Sequence, residues 1–415
     1  MHDLHSGLTL CFLASLSTRE LHKLEIEDLE SIVHFSVYWI YSNAEINMWL
    51  WILFFFKNLM CVSSYKHSNM FSSPSNLNQL AVDSDTHTVY VGAVNTLYQL
   101  TEDLKLQHKA VIGPELDDKE CTPPIHISYC PTAKQTDNYV KLLLLDKPKE
   151  RVVVCGTLFR GLCALRSLTN ISNELYYVKD KGEKCYVVTN DENLSTVGLI
   201  TTVSDNRLMY VAKGNGQFDN GFVISIRLLD TTPGSDKVPF ETISEALVYK
   251  QDRIRNHPRF LSVFETDEHV YFILSRLEQK PDGKNKTSIA RLCKSDINFY
   301  SYIDIALECD GSTFNIAQSA YVTNPSEELA RSMSDSGNYG DVTTHDKVLF
   351  VVFTKVDKGK PSKMSALCMF PLKIINDKME KVRAKAYSGE KTTIYNPYGE
   401  TKVTSSKDGE LHEAF

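Results

Sequence analysis

One pattern recurs five times between residues 85 and 372, and it restricts the fold more than any other feature of the chain. Each copy opens on a polar turn carrying Asp or Glu, runs into a hydrophobic strand, passes through a loop of variable length and returns on a second strand. The copies read DTHTVYVGAVNTLYQL (85–100), KERVVVCGTLFRGLCALRSL (149–168), DNRLMYVAKGNGQFDNGFVISIRLL (205–229), DEHVYFILSRLEQKPDGKNKTSIARLC (267–293) and DKVLFVVFTKVDKGKPSKMSALCMFPL (346–372). Their first strands enter at Val89, Val152, Leu208, Val270 and Val348, giving spacings of 63, 56, 62 and 78 residues. Short Val/Ile/Leu/Tyr runs bounded by Asp, Gly, Pro and Asn are strands. Helical periodicity is confined to SEELARSMSD at 326–335. A recurrent all-β unit predicts a propeller of four-stranded blades. The spacing exceeds the ~40–45 residues of compact propeller repeats, so the blades carry long connections.

Charge and cysteine usage narrow the function. A net charge of −7 without a Lys/Arg block leaves no footprint for nucleic acid. Ten cysteines include no CxxC and no Cys/His cluster at zinc spacing. Several come in short-range pairs instead: Cys121 with Cys130, Cys155 with Cys163, and Cys293 near Cys309. Such pairs suit disulfides that pin loops in an oxidising compartment. In VVVCGTLFRGLCALRSL (152–168) the two cysteines flank a tight loop between adjacent strands, a staple and not an active site. Sequons at Asn170, Asn193 and Asn285 agree with a secreted or ectodomain location.

The first seventy residues are of another kind. They are rich in aromatic and aliphatic residues and lack the turn signals that begin at Ser73. The run MWLWILFFF (48–56) is nine residues, too short to span a bilayer that needs about twenty. Read from Met48, the segment has a short apolar core followed by Lys57 and the small-residue stretch CVSS (61–64), as in a secretory signal. Met48 is then the expected start and 1–47 an extension. A poorly packed appendage without function is the other reading.

The blocks VYVGAVNTLYQLTEDLKLQHKAVIGPELDDKECTPP, VVVCGTLFRGLCALRSL, SIARLCKSDINFYSYIDIALEC and SALCMFPLKIIN resemble, in order, the sema domain of plexins, the transmembrane receptors for semaphorins. The resemblance covers residues 71–415, and 1–70 fall outside it. It implies a sema-type seven-bladed β-propeller outside the cell that binds the sema domain of a semaphorin, with a co-receptor or a second copy as further partners and no cofactor. The family pattern pairs Cys121 with Cys130, Cys155 with Cys163, and Cys309 with Cys368, and it gives Cys293 a partner just beyond Phe415. Where plexins place another cysteine, Ala386 stands here, so that staple is absent or the tail from about 385 diverges. Cys185 has no assigned partner. Semaphorins share the fold, but CGTLFRGLC, with Gly161 just before Leu162 and Cys163, is similar to the plexin form. Five units are visible where closure needs seven, and an open arc would bare two apolar faces. The chain is therefore expected to be part of a longer receptor, whose membrane attachment lies elsewhere.

Catalytic signatures are missing: the sequence has no GxSxG, no P-loop and no complete HExxH, and GNGQFDNG (214–221) lacks GxGxxG spacing. No enzymatic activity is expected. Asp83 and Asp85 without a Gly turn and a distal Glu read as a solvated turn, not a calcium loop. Phe218, inside that Gly/Asn/Asp-rich loop, is either an exposed partner-binding anchor or an aromatic folded back on its own blade. EQKPDGKNK (278–286) and DKGKPSK (357–363) read as solvated connections. Two rivals from other classes remain: a semaphorin ligand, and a propeller enzyme with a polar cluster lining its channel.

Overall fold

The computed structural model describes residues 69–179, 186–219, 221–230, 238–244, 258–277, 285–311, 313–357 and 360–388. Met48 and its surroundings, Cys185, most of the 278–286 loop and the tail from 389 lie outside the described residues.

Antiparallel sheets follow one another along the chain. The first holds β1 (Leu77–Val82), β2 (Val89–Ala93), β3 (Thr96–Leu100) and β4 (Leu106–Val111) in that order. A small ribbon, β5 (Glu115–Asp117) with β6 (Lys134–Thr136), leads to the second sheet: β7 (Val140–Asp146), β8 (Arg151–Gly156), β9 (Cys163–Ser167) and β10 (Glu174–Tyr176). The third contains β11 (Thr196–Val203), β12 (Asn206–Lys213), β13 (Ile224–Leu228) and β14 (Thr242–Ser244). The fourth contains β15 (Arg259–Glu265), β16 (His269–Leu277), β17 (Asn285–Cys293) and β18 (Ile303–Ala306). β19 (Ile316–Thr323), β20 (Val348–Asp357) and β21 (Lys360–Pro371) make the fifth. These are five successive blades, and the recurrent sequence unit is the second and third strands of each.

Why the middle pair stands out in the sequence follows from packing. Side chains alternate between the two faces of a strand, and here both faces are buried. Val152 and Val154 pack toward the first blade with Tyr90 and Leu97, while Val153 and Cys155 pack toward the third with Met209 and Val211. Leu208 and Tyr210 turn the other way, against Phe260, Phe272 and Leu274 of the fourth blade. Tyr271 and Ile273 meet Leu349, Val351 and Phe353 of the fifth. A strand buried on both faces has no polar alternation to show.

Polar latches fix the blades to one another. Tyr90, Tyr210 and Tyr271, each on a second strand, donate hydroxyls to the Leu168 carbonyl (2.5 Å), the Lys294 carbonyl (2.8 Å) and Asn376 Oδ1 (3.0 Å). Burial pushes the Tyr90 hydroxyl up to about 12. The Asp83 turn, expected to be solvated, is instead a clamp. Asp83 is buried and takes Lys147 of the second blade at 2.5 Å, with Asp85 at 3.2 Å from the same ammonium. Asp146, fully buried, is held by Arg151 and by Arg207 of the third blade, both at 2.7 Å.

The outward faces of the first and fifth blades carry exposed apolar side chains, Leu80, Val82, Leu106 and Val111 on one, Tyr321, Val352 and Leu367 on the other. Helix α1 (Glu327–Asp335), N-capped by Ser326, lies where the periodicity predicts it and shields part of the fifth blade with Ala330 and Met333. A second helix, α2 (Leu372–Tyr387), was not expected. Its apolar positions Leu372, Ile375 and Met379 are sparse among charged residues, yet they are buried against the fourth and fifth blades. Ala386 lies in this helix. Within the 357–363 stretch, expected to be a solvated connection, Asp357 ends β20 and residues 360–363 belong to β21, the two strands pairing there. No helix among the described residues is long and apolar enough to cross a membrane.

Candidate protein-interaction face

At the end of the second and third blades where β7 and β11 begin, four segments are joined by side chains: the loop 113–136, the turn 157–161, the segment 186–195 and the loop 214–222. The turn is the stapled one. Cys155 and Cys163 sit directly opposite in the β8–β9 ladder and are disulfide-bonded, with Cα atoms 4.0 Å apart. Phe159 (φ 51°), Arg160 (φ 62°) and Gly161 (φ 86°) are all left-handed. Only glycine fits at 161, since a Cβ would lie 2.0 Å from the Val188 carbonyl oxygen. The turn points inward, so Leu158, Phe159 and Leu162 are buried.

Arg160 is the hub. Its guanidinium donates to the Glu120 and Cys121 carbonyls, both at 2.8 Å, and to the Tyr186 hydroxyl. Asp117 accepts the Phe159 N–H at 2.8 Å, and burial pushes its carboxyl up. The loop so gripped is closed by the Cys121–Cys130 disulfide and presents Ile127 (53% exposed) and Tyr129 (89%). Sequence reasoning missed these two; the signal was a short cystine-closed loop carrying Ile125, Ile127 and Tyr129 in so few residues.

The Tyr186 ring centroid lies 5.4 Å from the Arg160 guanidinium and 5.6 Å from the Lys213 ammonium. Lys213 pairs with Asp219 at 2.5 Å, both side chains fully enclosed. Asp219 Oδ1 also accepts the Gly221 N–H, and Asn190 donates to the Gln217 carbonyl at 2.9 Å. Gly216 leaves room for that amide, since a Cβ there would come within 2.3 Å of Asn190 Oδ1. Between these anchors stands Phe218, at φ 59° and 43% exposed, and not folded away. Glu192 closes the circuit by pairing with Lys119 of the cystine loop at 3.4 Å. Burial lowers the Lys141 ammonium, which donates to the Glu192 carbonyl.

The arrangement offers rigid presentation of apolar side chains. Its buried charges Asp117, Lys213 and Asp219 are engaged in holding loops, and no group of three or more His, Cys, Asp or Glu able to hold a metal ion occurs among the described residues. Of the sequons, Asn193 is exposed at this end, while Asn170 lies in the β9–β10 connection at the other and accepts from Ser172. Asn285 opens β17. The third disulfide, Cys309–Cys368, ties the fourth blade to the fifth, and Cys293 is a free thiol in the structure.

Comparison with known proteins decides the family. The Sema domain profile matches residues 317–413, running through Ala386. Mouse plexin-B2 is 41% identical over 335 residues, 79% of this chain and 17% of the relative. The solved plexin A4 extracellular region superposes with a TM-score of 0.66 at 27% identity, covering 76% of this chain and 36% of that one. The chain belongs to the plexin sema domains. It spans 17% of the length of plexin-B2. Drosophila semaphorin 2a shares the fold alone, at 18% identity and a TM-score of 0.55 over 75% of this chain and half of that one. In this chain the CGTLFRGLC loop is the inward-turned staple of the second blade.

Proposed function

We propose that this chain supplies the extracellular recognition domain of a plexin, binding the sema domain of a semaphorin at the outer face of the plasma membrane and contributing to semaphorin-directed guidance of axons and cells. The sema domain occupies 71–415, and Met48 begins a secretory signal ahead of it; a compact unit starting at Asn69 supports that division. Asn170, Asn193 and Asn285 carry glycans. Recognition is by surface contact, without covalent chemistry or a cofactor, and the contact residues include Phe218, Ile127 and Tyr129.

The observation that carries the reading is the state of Phe218. A non-glycine residue at positive φ is uncommon, and such backbone is retained where the surroundings over-determine it, often at ligand-contacting sites. Here a buried ion pair and two backbone anchors hold an aromatic ring out of the core, and aromatics so placed are enriched among interface anchors. Surface plasmon resonance of a semaphorin panel against the full chain in its receptor ectodomain tests it. Phe218→Ala should weaken the cognate semaphorin by roughly tenfold or more, in the range of an interface hot spot. Unchanged affinity would remove Phe218 from the interface, and no binding by any semaphorin would remove the receptor reading itself.

A further inference from the structure

We infer that the outward face of α2 is a docking strip for a sulfated glycosaminoglycan chain. The helix separates its residues cleanly. Leu372, Ile375 and Met379 are buried against the blades, and Asn376 and Glu380 are engaged by Tyr271 and Arg291 of the fourth blade. On the opposite side, Lys373, Ile374, Asp377, Lys378, Lys381, Ala384 and Lys385 are exposed. Positions 378, 381 and 385 fall within an arc of roughly 60° and span about 10 Å by 3.6-residue geometry, and Lys373 flanks them roughly 80° round the axis from Lys381.

Four lysines against one aspartate on that face contrast with a chain whose net charge is −7. Lys373, Lys378 and Lys381 enter no ion pair among the described residues, and Glu380, the other acid of the helix, is committed to Arg291 and Arg383. Like charges three and four residues apart on a helix repel one another. A bound polyanion relieves that repulsion, so the strip is complementary to an extended row of negative groups.

The chemistry selects sulfated polysaccharide. Lysine binds sulfate or phosphate as a point charge without demanding planar geometry. A lipid surface would require apolar residues on the same face to insert between headgroups, and Ile374 alone is available there. Nucleic acid does not suit an extracellular domain. A glycosaminoglycan would meet the strip at the outer edge of the fourth and fifth blades, away from Phe218 on the third.

The test uses the full chain, heparin oligosaccharides as the probe, and non-sulfated heparosan oligosaccharides and vesicles of equimolar phosphatidylserine and phosphatidylcholine as comparators. Lys378→Gln/Lys381→Gln/Lys385→Gln removes three charges while keeping good helix formers; Lys105→Gln/Lys109→Gln/Lys363→Gln removes three exposed charges from the first and fifth blades. The expected result is heparin binding that falls with salt and weakens at least tenfold in the α2 variant only, in keeping with about 1 kcal/mol per lysine near an anionic surface. Both variants should keep the parent melting temperature and semaphorin affinity. No heparin binding by the parent, equal loss in both variants, or equal binding to heparosan or to the vesicles would each overturn the assignment.

Discussion

The second and third blades solve the same connection in opposite ways. In each, the chain must turn from the second strand to the third at the same end of the sheet. The second blade does so with a turn whose side chains point inward and whose ends are joined by the Cys155–Cys163 disulfide. The third does so with a longer loop held by the Lys213–Asp219 ion pair, and it exposes Phe218. A covalent clasp lets a turn be buried and serve as scaffold. A loop anchored from beneath by charges keeps its upper surface for contact, at the cost of depending on both members of the pair.

The sharpest way to break this contrast is to remove one charge. An enclosed ion that loses its partner costs about 3–5 kcal/mol, whereas replacing both by apolar groups of similar volume is often neutral. Lys213→Ala should therefore lower the denaturant midpoint far more than Lys213→Met/Asp219→Leu. Equal losses would mean that the pair is not what holds the loop.

Next in size is the clasp. Loop-closure entropy for so short a ring predicts about 2–3 kcal/mol for Cys155→Ser/Cys163→Ser. Because Arg160 issues from this turn, hydrogen exchange in 121–130 should rise with it, while 214–221 stays protected by its own ion pair. Protection lost equally in both loops would show that they are one unit and the contrast is false.

Phe218→Ala should change stability by no more than about 0.5 kcal/mol, the usual range for surface positions. A thermal melt shifted well beyond that would mean the ring packs in solution.

What the sequence made legible follows the same division. The second and third strands of the first four blades are buried on both faces, and those of the fifth on one, so their hydrophobic runs repeat and revealed the propeller. The first strands and outermost strands are short or half-exposed, as in the 3-residue β10 and β14, and left no repeating signal. α2 was hidden because a few buried residues, Leu372, Ile375 and Met379, suffice to seat it once Tyr271 and Arg291 supply polar anchors. The cysteines announced the clasp. The Lys213–Asp219 pair was invisible, since two opposite charges six residues apart mean nothing until a loop folds them together and closes over them. Ile127 and Tyr129 were overlooked for the converse reason, apolar residues in a segment too irregular to read as strand or helix.

Acid should loosen what charge holds and spare what sulfur holds, and the clamp between the first two blades gives the smallest and cleanest case. Hydrogen bonding from Lys147, then from Thr86, holds the Asp83 carboxyl down to about 2, against the opposing effect of burial. A carboxylate whose folded value lies below its unfolded value near 3.9 binds fewer protons when folded. Its stabilisation is complete above about pH 4 and is lost as pH falls through about 2. Glu380, held down to about 2 first by Arg383 and also by Arg291, titrates in the same window but is half-exposed, so salt screens its contribution. Denaturation midpoints followed between pH 5 and 2 should fall less steeply in Asp83→Asn at both low and high salt. For Glu380→Gln the flattening should appear only at low salt. The Gly156 and Leu162 amides beside the Cys155–Cys163 disulfide should keep their hydrogen-exchange protection throughout, because a disulfide does not titrate, whereas the Phe159 N–H, held by the Asp117 carboxylate, is free to loosen; if the stapled amides open with the Asp83 clamp, the staple depends on the blade contacts around it and not the reverse.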